Sequence, residues 1–72
     1  MTRDEWIADF AAELGVPPPD SHAVDTLLSL AGVAAHRSER TAAPLACYLV
    51  GRAGIDPSRA AQIADTIGAE PA

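Results

Sequence analysis

The chain has 72 residues and a formal net charge of −5, with ten acidic side chains against five basic ones. All five bases are arginine. The excess of acidic side chains argues against binding to nucleic acid or to an anionic membrane surface, because both need a basic face. A single domain of this length buries only a modest core, and the chain has one Trp, one Phe, one Tyr and one Met with which to build it.

The start of the chain gives an expectation about its cellular location. Its first residues are charged and amphipathic, unlike a signal peptide, and no apolar run approaches the roughly 20 residues that span a bilayer. Cys47 is the only cysteine, so no disulfide can form within the chain. We therefore expect a cytoplasmic protein that does not bind membranes.

The first helix is predicted over residues 3–14. Thr2 and Glu5 have the spacing of a capping box at its start, and Gly15 is a typical residue for its end. Three consecutive prolines at 17–19 form a stiff connector to the next helix. The apolar residues of the first helix fall on one face: Trp6, Ile7, Phe10, Ala11 and Leu14.

The second and third helices are predicted over residues 21–37 and 42–53. Asp20 or Ser21 caps the second, Thr41 is the expected N-cap of the third, and Gly54 ends it. Positions 42–50 are apolar or small throughout, so we expect the third helix to be buried on more than one face. Truncating Leu45 or Leu49 to Ala should then cost about 2–5 kcal/mol.

The fourth helix is predicted over residues 57–67, because Asp56 and Pro57 form an N-cap followed by proline at the first helical position. No segment has the pattern of a strand, a repeat or an interdomain linker. The predicted fold is all-α: one domain, residues 1–72, forming a compact bundle of four short helices with the third helix central.

The turn between the second and third helices concentrates polar side chains. His36, Glu39 and Arg40 together can hold an anion or a protein partner, since a carboxylate can orient the imidazole while the guanidinium binds an anion. The alternative is that they satisfy helix ends at a tight turn, which is the commoner role of such clusters.

No catalytic or metal-binding arrangement is apparent in the sequence. His22, His36 and Cys47 lack the spacing of a zinc site, and Cys47 lies in an apolar helix, where burial raises the pKa of a thiol. No paired carboxylates or phosphate-binding loop are present. We expect neither an enzyme nor a bound cofactor or metal.

Residues 49–63 have the pattern of a helix-turn-helix, with Gly54 in the turn and Ile63 on the inner side of the second helix. Without lysine, phosphate contacts are scarce, so binding to nucleic acid is the less favoured alternative.

A longer pattern covers nearly the whole chain. It comprises Trp6-Ile7, Glu13-Leu14-Gly15, Ala34-Ala35-His36, Glu39-Arg40, Ala42-Ala43-Pro44-Leu45 and Tyr48-Leu49-Val50-Gly51. In these residues the chain resembles a family of small bacterial domains of unknown function, found alone or fused to molybdenum-cofactor guanylyltransferase. Thr41 departs from the pattern, which has proline there. The motifs of the nucleotidyltransferase itself are absent.

The resemblance implies an association with cofactor maturation and no activity of its own. We therefore expect a non-catalytic accessory or interaction module whose protein partner is a molybdenum-cofactor guanylyltransferase or a molybdoenzyme. Two alternatives stay open: a DNA-binding or regulatory helix-turn-helix domain, and a structural domain that forms homo-oligomers through its alanine-rich helices.

Overall fold

The computed structural model describes residues 1–69, which contain helices and no strand. The all-α fold class and the number of helices are confirmed. The four helices are α1 (Arg3–Leu14), α2 (Ser21–Arg37), α3 (Ala42–Ala53) and α4 (Pro57–Ala64).

Both ends of α1 are fixed by local hydrogen bonds. The Thr2 hydroxyl accepts from the Glu5 amide at 3.1 Å, while the Glu5 carboxylate accepts from the Thr2 amide at 3.0 Å. The helix ends where Gly15 adopts a left-handed conformation with φ 77°. The Val16 amide then donates to the Ala11 carbonyl at 3.0 Å. The predicted capping box and glycine cap are confirmed.

Three helices form the packed part of the molecule. α3 packs along α2 more extensively than any other pair of helices does, so its predicted central position is confirmed. α4 packs against α2 as well. α4 runs parallel to α2, since the start of α2 contacts the start of α4 and the end of α2 contacts the end of α4. Leu30 in α2 and Ala60 in α4 are buried, and Leu30 is only 3% exposed.

One predicted N-cap is confirmed and another is wrong. Asp20 is the N-cap of α2, since its carboxylate accepts from the Ala23 amide at 2.8 Å. Thr41, the expected N-cap of α3, has helical backbone angles and its side chain makes no capping bond. A tight turn replaces the cap: the Ala42 amide donates to the Glu39 carbonyl at 2.9 Å.

The fourth helix is shorter than predicted, because α4 ends at Ala64 and not at 67. Beyond it, the amides of Thr66 and Ile67 donate to carbonyls only three residues earlier, at 3.0 and 3.1 Å. Such bonds tighten the last turn of a helix toward 3₁₀ geometry. Gly68, with φ 68°, then redirects the chain.

The expected burial of α3 on more than one face is wrong. One face contacts α2, but no residue of α3 is buried, and three of its large side chains are more than 60% exposed. An apolar sequence allows a helix to be buried. The number of its faces that are covered depends on where the other helices pack.

The first helix stands apart from this packed unit. Among the residues described, α1 packs closely against none of the other three helices. Ala11 is its one buried residue, while Trp6 and Phe10 are 52% and 48% exposed. The apolar face that the sequence predicts is therefore only partly covered.

The incomplete packing leaves a large surface. The chain exposes 5589 Å² at a mass of 7.4 kDa, about 1,400 Å² more than the roughly 4,200 Å² expected of a globular monomer of that mass. Much of the excess is apolar, since twelve large hydrophobic side chains are exposed in the described part of the chain.

Candidate functional site

The three residues predicted as a site lie at the C-terminal end of α2 and in the turn before α3. His36, Glu39 and Arg40 are all exposed. Within residues 1–69, no hydrogen bond or ion pair joins their side chains to one another. The backbone carbonyl of Arg40 accepts from the Ala43 amide at 3.2 Å, which helps to close the turn. The three side chains are thus available to a partner, and their role as a site stays a prediction.

A neighbouring residue holds this end of the fold together. The Arg37 guanidinium donates through Nη1 to three backbone carbonyl oxygens at the end of α4 and in the turn after it: Ala64 at 3.3 Å, Asp65 at 2.6 Å and Ile67 at 3.1 Å. A cation at these carbonyls also suits the negative end of the α4 dipole. Arg37, and not Arg40, makes the structural contact at this corner. The position of Arg37 in the last turn of α2 indicated that it caps that helix, but Asp65, which it contacts, lies 28 residues away.

A second polar contact joins the opposite ends of the same two helices. His22 Nε2, at the start of α2, lies 3.1 Å from Ser58 Oγ, at the start of α4. Together with Arg37, this contact fixes α4 alongside α2 at both ends. No local pattern predicts that His22 and Ser58 meet, because they are separated by 36 positions.

The exposed side of α3 carries an apolar patch that begins one turn after the polar corner. Leu45, Tyr48 and Leu49, spaced to lie together on one side of the helix, are 64%, 63% and 62% exposed. We call these three residues the α3 face. Cys47 on the same helix is half-buried, and burial raises the pKa of its thiol, as predicted. Cys47 is therefore a poor nucleophile at neutral pH.

The α3 face continues into a shallow apolar groove where α2, α3 and α4 meet. The groove has a volume of about 250 Å³. Leu49 lines its edge, Leu30 lies at its base, and Ile55 and Ile63 form the far wall. An open groove beside a row of large apolar side chains can receive a leucine or an aromatic ring from another protein.

The comparison with known protein families covers nearly the whole chain. The model of a domain of unknown function, DUF6457, matches residues 1–70. The chain belongs to the DUF6457 family. No curated protein and no solved structure matches it. The family's description assigns no activity to the DUF6457 domain. A proposal about its function therefore rests on the surfaces of the domain.

The described part of the DUF6457 domain has neither a metal-binding cluster nor a membrane-spanning helix. In the stretch from residue 1 to residue 69, no three His, Cys, Asp or Glu side chains are grouped so as to hold a metal ion. None of the four helices there is long and apolar enough to cross a bilayer.

On α4, the Arg59 guanidinium donates to the Gln62 side-chain oxygen at 3.3 Å, so these two exposed residues contact each other.

Proposed function

We propose that this DUF6457 domain is a non-catalytic interaction module that binds a protein partner through the α3 face. The observation that carries the proposal is the exposure of Leu45, Tyr48 and Leu49 on a helix that already packs against α2 with its other side. Three large apolar side chains in one exposed row are unusual for a chain that works alone.

The energetic gain from covering this patch is substantial for so small a domain. Each of the three side chains is already partly buried, so its remaining surface contributes on the order of 1–2 kcal/mol when removed from water. Tyr48 adds a phenolic hydroxyl that can bond across an interface, and tyrosine is among the residues that most often dominate binding energy. The groove beside Leu49 offers a place for one anchoring side chain of the partner.

The polar corner fits the rim of the same interface. Protein interfaces commonly have an apolar centre and a polar, solvent-accessible edge that fixes orientation. His36, Glu39 and Arg40 are exposed beside the start of α3, and the side chain of Arg40 has no partner among the described residues. An Arg40 contact with a carboxylate of the partner would be charge-assisted and directional.

The identity of the partner rests on the sequence resemblance. The stretch 36–51, which resembles the small domain fused to molybdenum-cofactor guanylyltransferase, contains both the polar corner and the α3 face. Part of the resemblance therefore falls on the residues of the proposed interface. We propose a molybdenum-cofactor guanylyltransferase, or a molybdoenzyme in maturation, as the partner.

Affinity capture with the whole chain from extract of its own cells, followed by mass spectrometry, tests this proposal. We expect nucleotidyltransferase or molybdoenzyme components with the unaltered chain. Leu45→Asp on the α3 face should abolish their recovery, and Arg40→Ala should reduce it. Phe10→Asp, on the similarly exposed face of α1, is the matched control and should leave recovery unchanged. Circular dichroism confirms that each variant is folded.

Two outcomes would contradict the proposal. Recovery of partners without any link to the cofactor would contradict the proposed association with molybdenum-cofactor maturation. Salt-sensitive binding to duplex DNA, lost on Arg59→Ala, would instead favour the helix-turn-helix alternative.

A further inference from the structure

The α1 helix presents a second apolar surface that the proposed interface on α3 does not use. Trp6, Phe10 and Leu14 are each about half-exposed or more and follow one another at intervals of four residues. We call them the α1 face. The rings of Trp6 and Phe10 lie 5.0 Å apart between centroids, so they form one continuous aromatic ridge along the helix.

An apolar groove lies beside this ridge, between α1 and α2. It has a volume of about 480 Å³. Its apolar lining comes from Ile7 on α1, from an α2 wall of Val24, Leu27 and Leu28, and from the connector prolines. The polar residues Arg3, Asp4, Ser21 and Asp25 line it as well. Leu28 is 55% exposed, so the α2 wall is open to solvent as well.

The connector between the two helices explains why α1 does not fill the groove itself. Three successive prolines at 17–19 restrict the backbone to extended conformations. They are followed directly by Asp20, the N-cap that starts α2. The stiff connector holds α1 at a distance from α2, and the groove is the space left between them.

We propose that α1 is a dimerisation helix: the α1 face of each copy covers the groove between α1 and α2 of a second copy. A two-fold dimer uses the same patch on both copies, which requires a patch that is complementary to itself. Here a ridge and a groove lie side by side on one helix. The ridge of one copy can enter the groove of the other, and the reverse contact follows from the symmetry.

The surface area agrees with this occupant. The excess of about 1,400 Å² over a globular monomer exceeds the roughly 800 Å² that each partner buries in a standard interface. One dimer contact through α1 therefore accounts for more than half of the excess. The proposed contact on α3 uses other residues, so the two interfaces do not compete for surface.

The charge of α1 predicts how the dimer depends on salt. The helix carries four acidic residues and one arginine, whose guanidinium lies 2.9 Å from the carboxylate of its neighbour Asp4. Two such helices repel each other, and salt screens the repulsion. Dimerisation should therefore strengthen with added salt, whereas binding that depends on attraction between opposite charges weakens.

The test combines sedimentation equilibrium with the fluorescence of Trp6, which is the only tryptophan. At about 100 µM the unaltered chain should be a dimer with blue-shifted emission, and dilution should shift the emission to the red as monomers form. Phe10→Asp keeps the reporter and should weaken dimerisation by at least about tenfold. Leu49→Asp, on the α3 face, is the matched control and should leave the dimer intact.

A second variant covers the case in which Phe10→Asp loses helicity. Leu28→Asp changes the α2 wall of the groove, outside α1, and should weaken the dimer to a similar extent. The proposal is overturned by a chain that stays monomeric at high salt, or by a dimer that Leu49→Asp breaks and Leu28→Asp does not. A monomer whose Trp6 emission shifts on adding phospholipid vesicles would assign the α1 face to a lipid surface instead.

Discussion

Arg37 Nη1 lies 2.6 Å from the backbone carbonyl oxygen of Asp65, which joins the end of α2 to the residue that follows α4. The same nitrogen also lies 3.3 and 3.1 Å from the Ala64 and Ile67 carbonyl oxygens, so one side chain gathers three backbone acceptors at the end of α4. The Ala64 carbonyl accepts from the Ile67 amide as well. This contact is the main polar restraint on the C-terminal end of α4.

Replacing Arg37 by Ala should lower the free energy of unfolding by about 1–2 kcal/mol, since hydrogen bonds from a charged donor are lost and the site is exposed to solvent. Urea denaturation followed by circular dichroism measures the change. Arg40→Ala is the matched control, three positions away, and should stay within about 0.5 kcal/mol of the unaltered chain. Equal losses in both variants would contradict the assignment of this contact to Arg37.

The contact between His22 and Ser58 should appear as a coupling between the two residues. A double-mutant cycle with His22→Ala and Ser58→Ala should give an interaction energy of about 0.5–1 kcal/mol, because each single change removes the same hydrogen bond. Ser29→Ala, at an exposed position on the same helix as His22, is the control and should show no coupling with Ser58→Ala. Strictly additive losses for His22 and Ser58 would argue against a bond in solution.

Leu30 should be the most sensitive apolar position of the packed unit. Leu30→Ala should cost about 2–5 kcal/mol, since the residue is buried where α2, α3 and α4 meet. Leu45→Ala should cost about 1 kcal/mol or less, because most of that side chain is already in water. This order reverses the expectation from the sequence that Leu45 belongs to the core. Urea denaturation of the two variants at low protein concentration measures both costs.

The capping box at the start of α1 should make helix stability depend on pH. The hydrogen bonds from the Thr2 amide and hydroxyl lower the pKa of the Glu5 carboxyl below its usual value of 4.5. Because the pKa of Glu5 is lower in the folded chain than in the unfolded chain, its ionised carboxylate stabilises the fold. This contribution is fully present above the pKa of the unfolded chain and is lost as the pH falls through the pKa of the folded chain.

Glu5→Gln is the matched control for this effect, because it keeps the acceptor and removes the titration. The difference in stability between the unaltered chain and Glu5→Gln should be constant above about pH 5 and should decrease as the solution is made more acidic. Acid titration of unfolding free energy for both chains measures it. A difference that grows toward low pH would have the wrong sign for a lowered pKa.

The sequence by itself determined the features that depend on neighbours within about five positions. The capping box of Thr2 and Glu5, the left-handed glycines at 15 and 54, and the proline that opens α4 all act locally, and helical periodicity gave the all-α class. The His36–Glu39–Arg40 cluster was found in the same way, as a concentration of polar residues at a turn. Its exposure is a fact of the structure, and its role as a site remains a prediction.

Only the tertiary structure decided which of the apolar faces are covered. The sequence of α3 is apolar on every side and that of α1 on one, yet Leu49 and Phe10 are both largely exposed. Arg37 and Asp65, or His22 and Ser58, meet because α4 runs beside α2, which no local signal records. The physical reason is that burial depends on how many helices reach a given face. Here a stiff connector keeps α1 away from the others, so that three helices alone supply the packing.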